Sequence, residues 1–346
     1  MGTMHKNFIK NSYINLKEFK SIKVGFIGCG YWATNLIKSL DEEKIKNINV
    51  YDVDSNKLKS LKKKFKNIKI FNSLDNLIKS KLDCIFLVTP PSKHYLLAKK
   101  IIKNKIDLFI EKPVTLRSKH LEELIKLAKK NKVILMSGYI YQYNKHIHYL
   151  KSQIKKNKLG KIKYIFFERS NLGPIRNDTT CIWDLASHDI STCINILGDN
   201  PKISYVMTYD FLKKGIYDIS SIGLNFKNIK IEIKSSWLNP EKVRKIIVIG
   251  EKKMLQFDEM GKENKIKIYN KYAKYPNIDT FKKNFFTPKA NIYLGKTFEP
   301  QIDFVSPMKI EILDFFNCIK KRKQPISSSN HALKVIRVLE KIEKKI

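Results

Sequence analysis

The stretch from Val24 to Asn35, VGFIGCGYWATN, is the feature that most constrains how this chain can fold. An apolar, strand-like run leads directly into Gly28 and Gly30, and a helical pattern begins at Tyr31. Glycine permits a sharp turn and lets a ligand approach the backbone closely. Together with Ala33, the two glycines follow the GxGxxG/A pattern in the strand–turn–helix setting that this pattern requires. We therefore predict that the diphosphate of a dinucleotide lies on this turn, against N–H groups at the helix N-terminus.

Residues around the turn complete the predicted cofactor site. Tyr31 and Trp32 begin the helix, so we expect them to contact the cofactor. Asp52 ends the next strand, 19 residues after Ala33, where a carboxylate accepts hydrogen bonds from a ribose diol. The residues that follow it, 53–55, are Val, Asp and Ser and include no arginine for a 2′-phosphate. The sequence therefore predicts NAD in preference to NADP.

The order of predicted elements indicates two domains. Strands and helices alternate through the first 135 residues, which predicts an α/β domain with a doubly wound parallel sheet of the Rossmann type. Past Gly138 the pattern changes, and six consecutive strand-like segments between residues 202 and 269 suit a mostly antiparallel sheet. We expect an N-terminal extension at 1–20, the dinucleotide-binding domain at 21–137 and a second, α+β domain at 138–346. The last helix of the chain is expected to pack back toward the first domain.

The charge of the chain allows two interpretations. The formal net charge is +36, and a basic surface gathers nucleic acid through counterion release. However, only six of the 68 basic residues are arginines, the residue that suits bidentate recognition of phosphate and bases. The lysines are spread along the whole chain. We therefore predict a solvated lysine coat that attracts anionic substrates, and no specific nucleic-acid partner.

Cysteine usage and hydropathy indicate the compartment. Five cysteines without any CxxC spacing suggest neither a zinc site nor a disulfide framework. His146 and His148 are two residues apart and point in different directions on a helix, so they are interpreted as surface or interface residues, and no metal site is predicted. The apolar run Cys84–Val88 is far shorter than a membrane span, and the lysine-interrupted N-terminus lacks a signal-peptide pattern. We expect a cytoplasmic protein with no membrane partner.

Three further motifs carry chemistry. TPPSKH begins at Thr89 and EKP begins at Glu111, and each follows an apolar strand. Ligands bind at the carboxyl ends of strands in open parallel sheets. Later in the chain, WDLASHD places Asp184 and His188 four residues apart, on one face of a predicted helix. A carboxylate near an imidazole can orient the ring and stabilise its protonated form.

These motifs, in this order, make the chain resemble the Gfo/Idh/MocA family of sugar and inositol dehydrogenases, from Lys23 to the final helix. The resemblance implies a Rossmann domain followed by a domain whose large open sheet forms an oligomer interface, here in a homodimer or homotetramer. It also implies a nicotinamide cofactor. The reaction it implies is oxidation or reduction at one carbon of a sugar, nucleotide sugar or inositol.

The resemblance assigns roles to the motif residues. Lys112 is expected beside the nicotinamide and the reacting hydroxyl, His188 as general base, and Asp184 as its orienting group or a substrate contact. The cofactor contacts expected on the two later loops are Thr89, Pro90, His94, Glu111 and Lys112. The expected substrate contacts are Lys112, Tyr143, Asn144, Arg169, Asn171, Arg176, Asp184 and His188.

Two alternatives stay open. Arg169, Asn171 and Arg176 could reach a carboxylate or phosphate on the substrate, but a loop arginine is equally often a solvated surface group. A non-catalytic NAD-binding regulatory protein of the same fold is the alternative function. The presence of Lys112 and His188 favours the enzyme.

Overall fold

The computed structural model divides the chain into two compact units, which we call the first and second domain. The structure describes residues 16–198, 201–262, 264–275 and 289–346. Within these, the first domain contains 16–144 and 305–340, and the second contains 145–304 and 341–346. The two helices near the C-terminus therefore contribute mainly to the first domain.

A six-stranded sheet forms the centre of the first domain. Its strands are β1 Val24–Ile27, β2 Ile48–Tyr51, β3 Ile68–Ile70, β4 Cys84–Leu87, β5 Asp107–Glu111 and β6 Leu135–Gly138. They pair in the order β3-β2-β1-β4-β5-β6, and every pair is parallel. The predicted doubly wound Rossmann sheet is thereby confirmed. All four residues of β1 are buried, as expected for a central strand with helices on both faces.

Seven helices accompany this sheet in the described part of the chain. They are α1 Tyr31–Glu42, α2 Ser55–Lys64, α3 Leu74–Lys79, α4 Pro91–Lys103, α5 Ser118–Asn131, α8 Pro307–Lys321 and α9 Ser329–Glu343, and a 3-10 turn covers Ile140–Tyr143. The α4 helix begins with a proline, whose missing N–H costs nothing in the first turn. This start fixes the residues of the TPPSKH motif directly after β4.

Aromatic side chains join α8 to the sheet. Phe86 of β4 lies between Phe26 and Phe109 of the neighbouring strands, with ring centroids 5.0 and 4.9 Å away. Phe315 and Phe316 of α8 meet it edge-on at 5.4 and 6.4 Å. Aromatic residues bury a large apolar area each, so this cluster explains why a segment so late in the sequence belongs to the first domain.

The last residues of the predicted N-terminal extension also pack into this core. Leu16–Phe19 forms a 3-10 turn, Leu16 is fully buried, and the ring of Phe19 lies 5.4 Å from that of Phe316. The rest of the extension lies outside the described residues.

The second domain is built on an eight-stranded sheet. Its strands are β7 Ile162–Leu172, β8 Lys202–Tyr209, β9 Ile219–Phe226, β10 Ile229–Ser236, β11 Leu238–Gly250, β12 Met254–Asp258, β13 Ile266–Lys274 and β14 Asn291–Phe298. Their order is β14-β13-β12-β11-β7-β10-β9-β8, and the β7–β10 pair is parallel while the other described pairs are antiparallel. The predicted mostly antiparallel sheet is confirmed, and β14 is a strand that the sequence pattern did not predict.

Helices precede and follow β7 in the sequence of the second domain. They are α6 Lys145–Lys155 and α7 Ser187–Leu197, and a short π-helical segment at Ile182–Ala186 leads into α7. The two edge strands of the sheet carry exposed apolar side chains, among them Met207 on β8 and Leu294 on β14. The homo-oligomer expected through this sheet stays a prediction.

Three global expectations can be compared with the structure. No helix in the described ranges has the length and apolarity needed to cross a bilayer. Clusters of three or more metal-ligating side chains do not occur among these residues. All five cysteines are buried free thiols. His146 is a correction: it is buried, not on the surface, and stacks on Phe257 with ring centroids 5.7 Å apart.

The aromatic cluster gives a stability prediction. Phe86→Ala should lower the free energy of unfolding of the first domain by about 3–5 kcal/mol, because it leaves a cavity among the four rings that contact it. Leu96→Ala, at an exposed position on α4, should change it by less than about 0.5 kcal/mol. Urea denaturation of both variants measures the difference. Equal effects of the two substitutions would contradict the placement of this core.

Candidate functional site

The predicted cofactor residues of the first domain lie in or beside the four loops that follow β1, β2, β4 and β5. These strands are adjacent and parallel, so their carboxyl ends form one edge of the sheet. Ligands of open α/β sheets bind at this edge, where the order of the strands reverses. The contacts described next show how the four loops are fixed to one another.

The glycine turn is tightly packed on one side and open on the other. Gly28 has a φ of +93°, and a Cβ atom added to it would come within 2.6 Å of the carbonyl oxygen of Val88. A Cβ atom added to Gly30 would meet nothing within 4 Å. Gly30 is also the N-cap of α1, and no side chain caps that helix. The first N–H groups of a helix lack intrahelical partners and suit an anion, and the space beside Gly30 leaves room for a ligand to approach this helix start.

Asp52 fastens the glycine turn to the end of β2. Its Oδ2 accepts a hydrogen bond of 2.7 Å from the backbone N–H of Cys29, and its Oδ1 accepts one of 2.8 Å from Asp54. Burial raises the pKa of the Cys29 thiol to about 12, and the Asp52 charge adds to this, so the thiol stays protonated. Each carboxylate oxygen of Asp52 retains a further lone pair. Asp52 can therefore hold the turn and still accept hydrogen bonds from a ribose.

Two apolar side chains at the loops after β1 and β2 are unusually exposed. Tyr31 at the start of α1 is 81% exposed, and Val53, directly after Asp52, is 89% exposed. Both stand at the loops that carry the predicted ribose and diphosphate contacts. Ala33, in contrast, is fully buried, which permits the close approach of helix and strand that the motif predicts.

Trp32 joins the glycine turn to the EKP motif. Its indole Nε1–H donates to Oε1 of Glu111, and the backbone N–H of Lys112 donates to Oε2 at 3.1 Å. Burial raises the pKa of Glu111 to about 7, although both donors and the Lys112 charge act in the opposite direction. A Cβ atom on Gly138 would lie 2.8 Å from this carboxyl group, so the space that Glu111 occupies depends on a glycine in β6.

His94 joins the loops after β4 and β5. It is fully buried; its Nδ1 lies 3.0 Å from the carbonyl oxygen of Pro113 and its Nε2 2.7 Å from that of Thr89. Pro90 is exposed at the start of α4, whereas the Thr89 hydroxyl is buried without a hydrogen-bond partner among the residues that the structure describes. The imidazole of His94 thus lies within hydrogen-bond distance of backbone carbonyl groups in two loops.

Asp184 and His188 lie at the start of α7 in the second domain. Asp184 belongs to the π-helical segment and His188 is the second residue of α7. Short π-helical segments within helices occur frequently at functional sites. The Asp184 carboxylate accepts a hydrogen bond of 3.1 Å from Trp237 Nε1, and Arg176 Nη1 lies 3.9 Å from its other oxygen. Two side chains thus hold the carboxylate that begins the D-x-x-x-H motif.

The three predicted anion-binding residues differ in their surroundings. Arg169 is 6% exposed and forms a bidentate ion pair with Asp189, with Nη2 2.8 Å from Oδ1. Asn171 accepts a hydrogen bond from Arg244 and donates one to the carbonyl oxygen of Gly173. Arg176 is partly exposed and pairs with Asp178 at 2.8 Å. Of the three, Arg176 has the surroundings of a side chain that can reach a ligand.

Tyr143 and Asn144 belong to the first domain. The Tyr143 hydroxyl donates to Asp314 at 2.8 Å and accepts from the backbone N–H of Ser327 at 3.0 Å, and the side chain is fully buried. Asn144 is 6% exposed. These contacts show a tyrosine that connects the 3-10 turn to α8 and to the segment after it.

Sequence reasoning missed two groups in this region, Glu311 and Tyr139. Both are buried, the charge of Glu111 raises the pKa of both, and their side-chain oxygens lack hydrogen-bond partners in the described part of the chain. The sequence contains a signal for Glu311. This residue stands between Ile310 and Ile312 on α8, and both isoleucines are buried. A carboxylate inside an apolar run is a buried polar residue, and such a residue is informative.

Comparison with known families agrees with the domains. Residues 22–139 match the family model described as oxidoreductase family, NAD-binding Rossmann fold. Residues 147–256 match the GFO/IDH/MocA C-terminal domain. The fold and the glycine turn define a two-domain, dinucleotide-binding class of oxidoreductase. The chain belongs to the Gfo/Idh/MocA family.

Among curated relatives, 2,7-anhydro-N-acetylneuraminate hydratase of Escherichia coli is 30% identical over 143 residues, 41% of this chain and 38% of that protein. UDP-N-acetylglucosamine 3-dehydrogenase of Acidithiobacillus ferrooxidans is 25% identical over 169 residues, 49% of this chain and 48% of that protein. The chain thus matches less than half of the length of either relative.

Solved structures resemble the chain over most of its length. A structure of the Acidithiobacillus dehydrogenase superposes with a TM-score of 0.76 at 18% identity, covering 94% of this chain and 97% of that one. An oxidoreductase from Agrobacterium radiobacter, solved with NAD+, L-tartaric acid and magnesium, gives 0.73 at 15% identity, covering 94% and 96%. At these identities the likeness shows the fold.

The two glycines of the turn give a matched prediction. Gly28→Ala should lower the melting temperature, because alanine is strained at a positive φ and its methyl group meets Val88. Gly30→Ala has space and a φ of −77°, so it should change stability by less than about 1 kcal/mol. It should nevertheless weaken dinucleotide binding, because the methyl group occupies the approach to the helix N-terminus. Thermal unfolding and calorimetric titration separate the two effects; a Gly30→Ala variant that binds as wild type would place the diphosphate elsewhere.

Proposed function

We propose that the chain is an NAD-dependent dehydrogenase that oxidises or reduces a hydroxyl-bearing carbon of a sugar, nucleotide sugar or inositol. The observation that carries the proposal is the edge of the parallel sheet. There, an open glycine turn, an acceptor carboxylate on β2 and a lysine after β5 are fixed to one another by hydrogen bonds. Family membership supports the same class of reaction.

The residues present fit a dinucleotide. The first turn of α1 offers N–H groups to the diphosphate, and Asp52 offers its carboxylate to a ribose. Tyr31 and Val53 offer exposed apolar surface beside it. Asp52 and Asp54 would repel a 2′-phosphate, and this supports NAD over NADP. When bound, NAD supplies the acceptor or donor of the hydride.

Lys112, in the first domain, is proposed to donate a hydrogen bond to the oxygen of the reacting hydroxyl. Its backbone N–H is bonded to Glu111, whose position is set in turn by Trp32 and Gly138. The backbone from which the lysine side chain starts is therefore fixed. A positioned ammonium group can donate a hydrogen bond to the substrate oxygen and so assist proton transfer at that oxygen.

His188 is proposed as the general base and Asp184 as the group that fixes its surroundings. In the oxidative direction the substrate carbon loses a hydride, the hydroxyl loses a proton, and His188 accepts that proton. Asp184, held by Trp237 and Arg176, keeps a negative charge on the same helical segment. A nearby carboxylate stabilises the imidazolium that forms.

The substrate class rests on the relatives and on one side chain. The relatives act on an anhydro-sialic acid and on a UDP-sugar, according to their names. Arg176 is the candidate for an anionic group of such a substrate, since it is partly exposed and near Asp184. Arg169 is buried in its pair with Asp189, so we propose that it supports the fold of the site and does not bind substrate.

The catalytic assignment is tested with a panel of inositols, free sugars and UDP-sugars. Lys112→Ala and His188→Ala should each lower kcat about 10²–10⁴-fold on the substrate that is found, because each removes a positioned proton-transfer group. NAD affinity should change little. Turnover is measured by nicotinamide absorbance and by mass spectrometry of the products. The second measurement is needed because one relative is a hydratase, so products could form without net reduction of NAD.

Lys119, which is exposed, and His120, which is partly exposed and stacks on Tyr95, provide the controls for these variants. Lys119→Ala and His120→Ala remove the same side-chain types outside the sheet edge and should retain wild-type turnover. Wild-type turnover in both Lys112→Ala and His188→Ala would contradict the assignment. Binding of NAD with no product from any member of the panel would instead favour a regulatory protein.

Cofactor preference is tested at the end of β2. Asp52→Asn keeps an acceptor oxygen for the glycine turn but removes the charge that faces the ribose. It should lower the preference for NAD over NADP about ten- to hundredfold, the range for a hydrogen bond to a charged group. Asp75→Asn, on α3 and paired with Lys100 at the surface, is the matched control and should change the preference far less. An unchanged preference in Asp52→Asn, measured by titration with both dinucleotides, would remove Asp52 from the ribose site.

A further inference from the structure

A buried carboxyl group on α8 has no part in the proposed reaction. Glu311 is completely shielded from solvent, and neither of its carboxyl oxygens has a hydrogen-bond partner among the described residues. Burying a polar group without a partner is unfavourable, and burying an isolated charge is far more so. The protonation state of Glu311 therefore needs an explanation.

The charges around Glu311 oppose its ionisation. Glu111 on β5 and Asp314, three residues further along α8, both act on it with negative charge, and burial adds the largest effect. Together they raise the pKa of Glu311 well above its ordinary value. Two carboxyl groups that share a low-dielectric site do not both ionise at neutral pH.

The hydrogen-bond donors in this region are unevenly distributed. Trp32 Nε1–H and the Lys112 N–H both donate to Glu111, and the Lys112 charge acts on the same carboxylate. Asp314 accepts from the Tyr143 hydroxyl and from the N–H of Ile326. Donors stabilise the ionised form of a carboxyl group. The negative charge of the pair thus belongs on Glu111 and the proton on Glu311.

We propose that Glu311 is a neutral carboxylic acid in the folded protein and forms, with an ionised Glu111, a buried carboxyl pair that carries one negative charge next to Lys112. Glu311 is then a positioning residue: it keeps a second charge away from the lysine and touches neither substrate nor cofactor. The titratable groups that surround the pair are Lys112, Tyr139, Tyr143, Asp314 and, in ring contact with Tyr139, His331. The inference does not depend on the proposed function, since its tests need no substrate.

Infrared spectroscopy of the full-length protein at about pH 8, above the pKa of about 7 of Glu111, tests the protonation state of Glu311 directly, because Glu111 is then mostly ionised. The wild-type spectrum should contain the carbonyl stretch of a protonated, non-hydrated carboxylic acid. Glu311→Gln should remove this band, and Glu111→Gln should leave it in place. Glu311→Leu provides the same comparison if the glutamine variant does not fold.

The pH dependence of stability provides a second test. The folded protein holds a proton on Glu311 that the unfolded chain releases above about pH 4.3. The contribution of Glu311 to the free energy of unfolding of the wild type therefore falls as the pH rises from that value toward the folded-state pKa. Glu311→Gln has no such proton to lose. Its melting temperature relative to wild type should therefore rise by about 3–5 °C per pH unit between about pH 5.5 and 7. This shift corresponds to a tenfold change in the unfolding equilibrium constant per pH unit.

Glu122→Gln is the matched control for the stability series. Glu122 lies on α5 in the same domain and is paired with Arg337 at the surface, so its difference from wild type should stay nearly constant over this pH range. The proposal is overturned if the wild-type spectrum has no carboxylic acid band that depends on Glu311. It is equally overturned if Glu311→Gln loses stability relative to wild type as the pH rises, since that result requires an ionised, stabilised Glu311.

Discussion

The hydrogen bond from the Cys29 N–H to the Asp52 carboxylate is the contact on which the arrangement of the loops at the carboxyl edge of the parallel sheet depends. It joins the turn after β1 to the end of β2, while Gly28 packs against Val88 after β4. The turn is therefore fixed from both sides, and Gly30 remains open. A preorganised set of amides binds an anion without first having to order the loop. Asp52 thus acts both in the fold and in the proposed recognition of the ribose.

The other loops at this edge of the sheet are also joined to one another by side-chain contacts. Trp32 and Glu111 join the first loop to the fourth, and His94 joins the third loop to the fourth. Residues expected to contact a cofactor are in these cases bonded to a neighbouring loop. Substitution at Trp32 or His94 would then change the placement of Lys112 as well as any contact with a ligand. Loss of activity at these positions is accordingly weaker evidence for a direct cofactor contact than loss at Gly30, where an added Cβ atom would meet nothing within 4 Å.

Much of this arrangement could be predicted from sequence because its signals are local. The glycine pattern, the acid at the end of β2 and the apolar runs of the parallel strands each depend on neighbouring residues, and the structure has the predicted sheets. The ion pair of Arg169 with Asp189 and the burial of Glu311 depend on residues that are distant in sequence or on which helix face meets the sheet. Strand β14 was missed because its side chains are largely exposed and its apolar pattern is short. A local sequence pattern does not show which distant residue a side chain will contact.

The central claim is that the amides of the glycine turn hold the diphosphate of NAD. Amide hydrogen exchange of the full-length chain, measured with and without saturating NAD, tests it most directly. The account predicts slower exchange on adding NAD at the amides from Gly30 to Ala33 and at Val53, beside the ribose acceptor. Unchanged exchange at these amides, while calorimetry shows that NAD is bound, would contradict it.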